Sequence, residues 1–241
     1  MSISFKNKTL LITGGLGGFG SAIIKKFISH KCNVITTTTK KYKQKKSKNL
    51  RIIYLDFNDE NSLSHFDTEI NKINKIDFFI NNAGINIIDK IYEVKKDDLK
   101  KISNVNLIGP IWLTKLISLK MKKKKFGRII NISSIFGKVS CEKRSLYSST
   151  KFGLIGLTKA TSLDLAKYNI LVNSISPGYF KTQLTKKILG KKEIKEILKK
   201  IPLNRLGKPQ EVANLCLFLC SNLNSYITGE NIVIDGGFTS K

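Results

Sequence analysis

Seven short, β-prone apolar runs recur along the 241-residue chain, and the stretches between them are long enough to hold helices. The runs are Thr9–Thr13, Asn33–Thr37, Leu50–Leu55, Ile76–Asn81, Gly127–Ser133, Ile170–Ser176 and Asn231–Ile234. Strands joined by connections of about ten residues or more pair in parallel, because a tight hairpin returns the chain antiparallel. The alternation therefore predicts an α/β fold: a doubly wound, seven-stranded parallel sheet with helices on both faces. No linker, composition break or internal repeat divides the chain, so residues 1–241 are read as one domain. In an open sheet of this kind ligands bind beyond the carboxyl ends of the strands. Gly14–Gly20, Asn81–Gly84, Ser134 and Pro177–Thr182 each follow such an end, so these distant segments are expected on one edge.

The first strand runs straight into Gly14-Gly15-Leu16-Gly17-Gly18-Phe19-Gly20, after which Ala22, Ile23, Ile24 and Phe27 repeat with helical spacing. Glycine tolerates positive φ and lets backbone come close to a ligand, and free N–H groups at a helix start attract negative charge. Strand, glycine turn and helix thus form a cradle for a pyrophosphate. Tyr147 and Lys151 stand four apart in Tyr147-Ser148-Ser149-Thr150-Lys151, so a helix turns both to one side. A nearby cation favours phenolate over phenol, which makes the pair an acid/base device. Ser134 lies thirteen residues before Tyr147, at the end of the run Arg128-Ile129-Ile130-Asn131-Ile132.

Together these residues resemble the classical short-chain dehydrogenase/reductase family, over nearly the whole chain. Its glycine motif falls on Thr13, Gly14, Gly18 and Gly20, and its Asn-Asn-Ala-Gly on Asn81, Asn82, Ala83 and Gly84. Its active-site Asn, Ser, Tyr and Lys fall on Asn106, Ser134, Tyr147 and Lys151. Pro177-Gly178-Tyr179-Phe180-Lys181-Thr182 is similar to its Pro-Gly-x-x-x-Thr, and segments Ile201–Gly207 and Ile234–Gly237 to its carboxy-terminal block.

The resemblance implies a Rossmann-type NAD(P) site and hydride transfer between nicotinamide and a carbonyl or secondary alcohol. It implies that Tyr147 exchanges the proton, that Lys151 lowers the tyrosine pKa and holds the nicotinamide ribose, and that Ser134 hydrogen-bonds the carbonyl oxygen. Asn106 is either the residue that completes a proton relay to Lys151 or a helix interruption that takes local backbone bonds. The implied cofactor contacts are Gly14, Gly18, Phe19 and Gly20 at the pyrophosphate turn, Thr37 after the second strand, and Asp56 at the adenine. Asn82, Ala83 and Gly84 follow at the ribose, and Pro177, Gly178, Phe180 and Thr182 at the nicotinamide. Asp56 has a second reading as the cap of a helix starting near Asn58 or Asp59.

Dinucleotide choice is read after the second strand, where an acid would bind a ribose 2′-hydroxyl. Val34-Ile35-Thr36-Thr37-Thr38-Thr39-Lys40-Lys41 offers hydroxyls and cations and no acid, which favours NADP over NAD. Gly17 stands where many NADP-using relatives carry a basic residue. Within the family the carboxy-terminal block and Lys122–Arg128 are similar to 3-oxoacyl-[acyl-carrier-protein] reductases. Tyr168 and Asn86-Ile87-Ile88-Asp89-Lys90 depart from their pattern, and Pro177–Thr182 is similar to gluconate-type sugar-acid and polyol dehydrogenases. The substrate is accordingly a small carbonyl or alcohol compound, or one carried by acyl carrier protein. A homotetramer is implied as well. The segment from Thr182 to Ile201 would cover the site. A non-catalytic cofactor-binding regulator is the reading of a different class, and the intact Asn106, Ser134, Tyr147 and Lys151 set argues against it.

Charge is the unusual feature: 43 Lys+Arg against 17 Asp+Glu give a net +26. Such a field attracts nucleic acid, anionic membranes or acidic proteins. The lysines are spread along the chain without an aromatic-interleaved basic module, so no specific nucleic-acid binding is expected, and the excess reads as solvated lysine faces. The four cysteines and two histidines show no metal-ligand spacing, and Cys216 and Cys220 sit in an apolar helix as packing residues. His30 and His65 read as surface residues. No leader pattern or bilayer-length apolar run is visible, and a cytoplasmic protein is expected.

Overall fold

The computed structural model describes residues 3–40, 48–182, 185 and 190–240. Lys41 after the second strand, and residues 183, 184 and 186–189 of the expected covering segment, lie outside the described residues.

The seven expected strands form within a residue or two of their sequence bounds: β1 Thr9–Ile12, β2 Asn33–Thr38, β3 Leu50–Tyr54, β4 Phe78–Asn81, β5 Gly127–Ile132, β6 Ile170–Pro177 and β7 Asn231–Ile234. All pair in parallel within one sheet of order β3-β2-β1-β4-β5-β6-β7. The chain winds outward from β1 to β3, then returns to place β4 on the other side of β1. The ends of β1 and β4 therefore face each other across the switch point where such sheets bind ligands.

Helices α1 Gly18–Ser29, α2 Glu60–Asn71, α3 Lys96–Ser103, α4 Gly109–Lys124, α5 Ser145–Leu165, α6 Lys191–Lys200 and α7 Pro209–Cys220 supply the connections. Side chains alternate across each strand. Leu10 and Ile12 of β1, Phe78 and Ile80 of β4, and Ile130 and Ile132 of β5 join one core with α1 and α7. Leu11, Phe79 and Ile129 from the same strands join the other, with Phe66 and Ile117 from α2 and α4. Every residue of β5 and β6 is buried, as a strand covered on both faces requires. Most of the polar groups this buries find partners: Asn81 Nδ2 donates to Asn131 Oδ1 at 2.8 Å, and Ser174 and Ser176 donate to Asn231 Oδ1 at 2.9 and 2.7 Å, while Asn81 Oδ1 and Arg128 Nε are buried without one.

Cys32, Cys216 and Cys220 are buried among apolar residues and Cys141 is exposed, so the packing role read for Cys216 and Cys220 holds. His65 is exposed and His30 half-buried, its Nδ1 2.8 Å from the Lys26 carbonyl. Among the described residues no helix is long and apolar enough to cross a membrane.

Candidate active site

β1 ends in the glycine turn, and hydroxyls from the neighbouring strand hold that turn in place. Thr36 Oγ1 accepts from Gly15 N at 3.0 Å and donates to Ile12 O at 3.0 Å, while Thr37 Oγ1 accepts from Gly14 N at 3.2 Å. Gly14 and Gly18 have φ of +65° and +51°, a conformation that favours glycine. Gly20 has a different reason to lack a side chain: a Cβ there would lie 2.6 Å from Gly15 Cα and 2.7 Å from Gly14 O. The first turn of α1 carries no acidic side chain and its first residue has no side-chain cap, which leaves its N–H groups to an outside anion.

The end of β4 is fastened to the same turn. Thr13 Oγ1 accepts from both Asn82 N (3.0 Å) and Ala83 N (2.9 Å), and Asn82 Nδ2 donates to the carbonyls of Thr13 and Gly14 at 2.9 and 3.1 Å. Thr13 thus ties two strand ends together, a role read in the sequence only as part of the glycine motif.

Between these ends lies a cleft of about 740 Å³, within the range of small-molecule sites. It brings together Gly14, Gly18, Phe19, Thr37, Asp56, Asn82, Ala83, Gly84 and Thr182 from the sequence reading. Thr38, Thr39, Lys40 and Lys101 also line it. Lys101 was not legible as a site residue, because it belongs to the polar side of α3 and only the packing of α3 against the cleft reveals it.

Several assignments change in detail. Thr37 borders the cleft with its hydroxyl engaged by the glycine turn; Thr38, Thr39 and Lys40 are the further polar groups at that end, with Thr38 Oγ1 accepting from Lys40 N at 3.2 Å. Asp56 does not cap α2; Asp59 does, accepting from Asn61 N at 3.0 Å, while Asp56 Oδ1 accepts from Asn58 N at 2.9 Å and the residue borders the cleft. Gly20, Pro177, Gly178 and Phe180 are absent from the cleft lining. Pro177 pairs with Ile234 in the sheet, and a Cβ at Gly178 would lie 2.7 Å from Asp235 Cβ. The Phe180 ring is buried, edge-on to Phe19 at 5.1 Å, so it supports the wall from behind.

Lys151 and Asn106 adjoin this cleft through Gly84. A Cβ built there would lie 3.5 Å from both Lys151 Nζ and Asn106 Oδ1, so these two residues flank the backbone that borders the cleft. Lys151 is buried on α5 and donates to Ile132 O at 2.9 Å, with Nζ 5.6 Å from the Tyr147 ring centre. Of the adjacent serines, Ser133 donates to Lys151 O at 2.9 Å and is structural. Ser134 Oγ accepts from Phe136 N at 3.1 Å, which leaves its proton free to donate, and its hydroxyl acts on the Tyr147 phenol. Asn106 lies in a π-helical turn, Asn104–Ile108, between α3 and α4. Its side chain accepts from Ile85 N and donates to Ile85 O, both at 2.9 Å, and reaches Thr150 Oγ1 at 3.2 Å. The reading of Asn106 as a helix interruption that takes backbone bonds is the one this geometry displays.

Burial raises the Tyr147 pKa, and the Ser134 hydroxyl and the Arg144 charge act in the opposite direction. The cation acting on the phenol here is Arg144, beside the Lys151 that the sequence pointed to. Burial takes the Lys151 ammonium down to about 8, and its hydrogen bond goes to a carbonyl. The unfolded chain holds the Lys151 proton up to about 10.5, so between the two values the unfolded state binds more protons and stability rises with pH. The raised Tyr147 acts oppositely only above its reference value of 10. Urea unfolding of the wild type should therefore gain on the order of 2 kcal/mol from pH 8 to pH 10 relative to Lys151→Met. Parallel curves for the two proteins would show that Lys151 is not desolvated as described.

The profile of the family described as enoyl-(acyl carrier protein) reductase matches residues 14–239. A 3-oxoacyl-[acyl-carrier-protein] reductase of Aquifex aeolicus is 38% identical over 98% of this chain and 99% of its own length. One from Rickettsia typhi is 37% identical over 98% of each. Among solved structures, 4-hydroxyisoleucine dehydrogenase complexed with NADH has a TM-score of 0.91 at 32% identity, covering 98% of this chain and all of that one. ElxO with NADP bound has a TM-score of 0.89 at 32% identity, covering 97% and 99%. The chain belongs to the short-chain dehydrogenase/reductase family. It is an NAD(P)-dependent oxidoreductase, a ketoreductase similar to the 3-oxoacyl-[acyl-carrier-protein] reductases.

Proposed function

We propose that this enzyme uses NADPH to reduce the 3-oxo group of acyl chains carried on acyl carrier protein. The observation that carries the chemistry is the position of Gly84, which borders the dinucleotide cleft on one side and meets Lys151 and Asn106 on the other. When bound, the nicotinamide supplies a hydride to the carbonyl carbon. As the carbonyl π pair moves onto oxygen, Tyr147 delivers its proton there, and Ser134 donates a hydrogen bond that strengthens as charge grows. Lys151 would leave the Ile132 carbonyl for the nicotinamide ribose, and Asn106 holds the backbone at Ile85 that frames this passage. Gly14 and Gly18 would receive the pyrophosphate, Asp56 the adenine, and Asn82, Ala83 and Gly84 the ribose. Pro177, Gly178 and Phe180 support the nicotinamide end, with Thr182 at its carboxamide.

NADP is preferred over NAD because Thr38, Thr39 and Lys40 offer hydroxyls and a cation where a 2′-phosphate would lie. Lys40→Glu is expected to lower the ratio of kcat/KM for NADPH to that for NADH by tenfold or more, as replacing one charge-assisted hydrogen bond with repulsion would. An unchanged ratio would remove Lys40 from cofactor selection.

The carrier assignment is supported by the names of the relatives and by the lysines that end α4. Lys122, Lys123, Lys124 and Lys125 surround a turn where Lys122 Nζ lies 4.7 Å from the Tyr168 ring centre, a cationic surface for an acidic partner. A cytoplasmic homotetramer completes the proposal, and Ile108, Ile111, Leu119, Phe152 and Leu163, exposed on and beside α4 and α5, are apolar groups that association would cover. The test is NADPH oxidation by acetoacetyl-acyl carrier protein beside a panel of keto-sugars and keto-sugar acids. Turnover of the thioester in preference to the panel supports the proposal, and the reverse order transfers the enzyme to the sugar-acid reading.

A further inference from the structure

The chain uses arginine sparingly: only four of its 43 cations are arginines, at positions 51, 128, 144 and 205. Three have evident structural work. Arg51 pairs with Glu69, Arg205 pairs with Glu211, and Arg128 donates Nη1 to the carbonyls of Gly127 and Asn169. Arg144 has no ion-pair partner among the described residues, and those include every acid of the chain. Its Nη1 is nevertheless buried and finds no acceptor. A charged N–H removed from water without a partner is a standing cost, in contrast to an unpaired lysine whose ammonium stays hydrated.

The location gives that cost a purpose. Arg144 immediately precedes α5, three residues before Tyr147, and its guanidinium carbon lies 5.4 Å from the centre of the Phe136 ring. Phe136 meets Tyr147 edge-on at 6.3 Å and Tyr179 at 6.4 Å, and Tyr179 meets Phe238 at 5.3 Å. The guanidinium therefore stands against an aromatic wall that includes the proton donor, and its positive charge reaches the phenols of both tyrosines. We infer that Arg144 binds a carboxylate borne by the substrate close to its reacting carbonyl, so that the site accepts free oxo acids. Arg144 is the cation at the Phe136 end of this aromatic wall, while Lys151 at the Tyr147 end is bonded to the Ile132 carbonyl; a guanidinium matches a carboxylate in its plane. In a carrier-bound substrate the neutral thioester oxygen would take the same place through a weaker bond.

This inference rests on the ketoreductase reading of Tyr147, and its experiment separates the two. Wild type and Arg144→Gln are compared with NADPH on acetoacetate and on ethyl acetoacetate, which share a skeleton and differ in charge. Because Arg144 also acts on the phenol, absolute rates change for both substrates, and the informative quantity is the ratio of their kcat/KM values. The ratio should favour acetoacetate in the wild type and fall about 10- to 100-fold in Arg144→Gln, with partial recovery in Arg144→Lys. A ratio that does not move in Arg144→Gln overturns the inference. Calorimetric binding of acetoacetate to the NADP complex gives a second readout. Arg144-dependent binding without turnover of any carbonyl compound would keep the carboxylate site and refute the reductase, whereas turnover of the thioester with Arg144-independent acetoacetate binding would do the opposite.

Discussion

Tyr147→Phe is expected to lower turnover by about a thousandfold while leaving NADPH affinity within a few-fold of wild type. The substitution removes one oxygen from a ring whose other contacts, edge-on to Phe136 and beside Lys151, are unchanged in shape. Ser134 and Arg144, the groups that act against the burial of the phenol, then have no proton donor to tune. Because the loss would fall on the chemical step, kcat should drop and KM for NADPH should not rise in proportion. Pre-steady-state NADPH oxidation beside fluorescence titration of the cofactor checks both halves. Substantial turnover by the phenylalanine variant would take the proton transfer away from Tyr147.

The second large effect belongs to backbone packing. Gly20→Ala should weaken NADPH binding about 10- to 100-fold, because the new methyl would lie 2.6 Å from Gly15 Cα and 2.7 Å from Gly14 O. Neither is the end of a flexible side chain. The turn itself must open, and with it the placement of N–H groups held by Thr36 and Thr37. Circular dichroism of the variant separates a deformed turn from a failed fold, and calorimetry gives the affinity. A folded Gly20→Ala protein that binds NADPH as tightly as wild type would show that this turn is not the phosphate cradle.

The sheet was legible in the sequence because its central strands are buried on both faces, which makes them apolar-rich runs such as Ile129-Ile130 of β5 and Ile170-Leu171-Val172 of β6, with few polar residues between. Motifs at strand ends were legible for a related reason: parallel topology puts all carboxyl ends on one edge. What the sequence could not display was the work done by each hydroxyl or amide once folded. Thr37 and Asn82, read as cofactor contacts, line the cleft and also hold its frame: Thr37 serves the glycine turn and Asn82 fastens β4 to β1. Local spacing also favoured Lys151 as the cation tuning Tyr147, since residues four apart share a helix face. Only the fold shows Lys151 turned to the Ile132 carbonyl and Arg144, just before the helix, acting on the phenol. Arg144 had no motif to announce it; its signal was its scarcity as an arginine in a lysine-rich chain.

A crystal structure of the wild-type enzyme with NADP tests the central claim most directly. The account predicts the nicotinamide between Thr182 and Tyr147, with Lys151 Nζ moved from the Ile132 carbonyl to the ribose hydroxyls. A dinucleotide lying along the glycine turn with its nicotinamide remote from Tyr147, and Lys151 still bonded to Ile132, would contradict it.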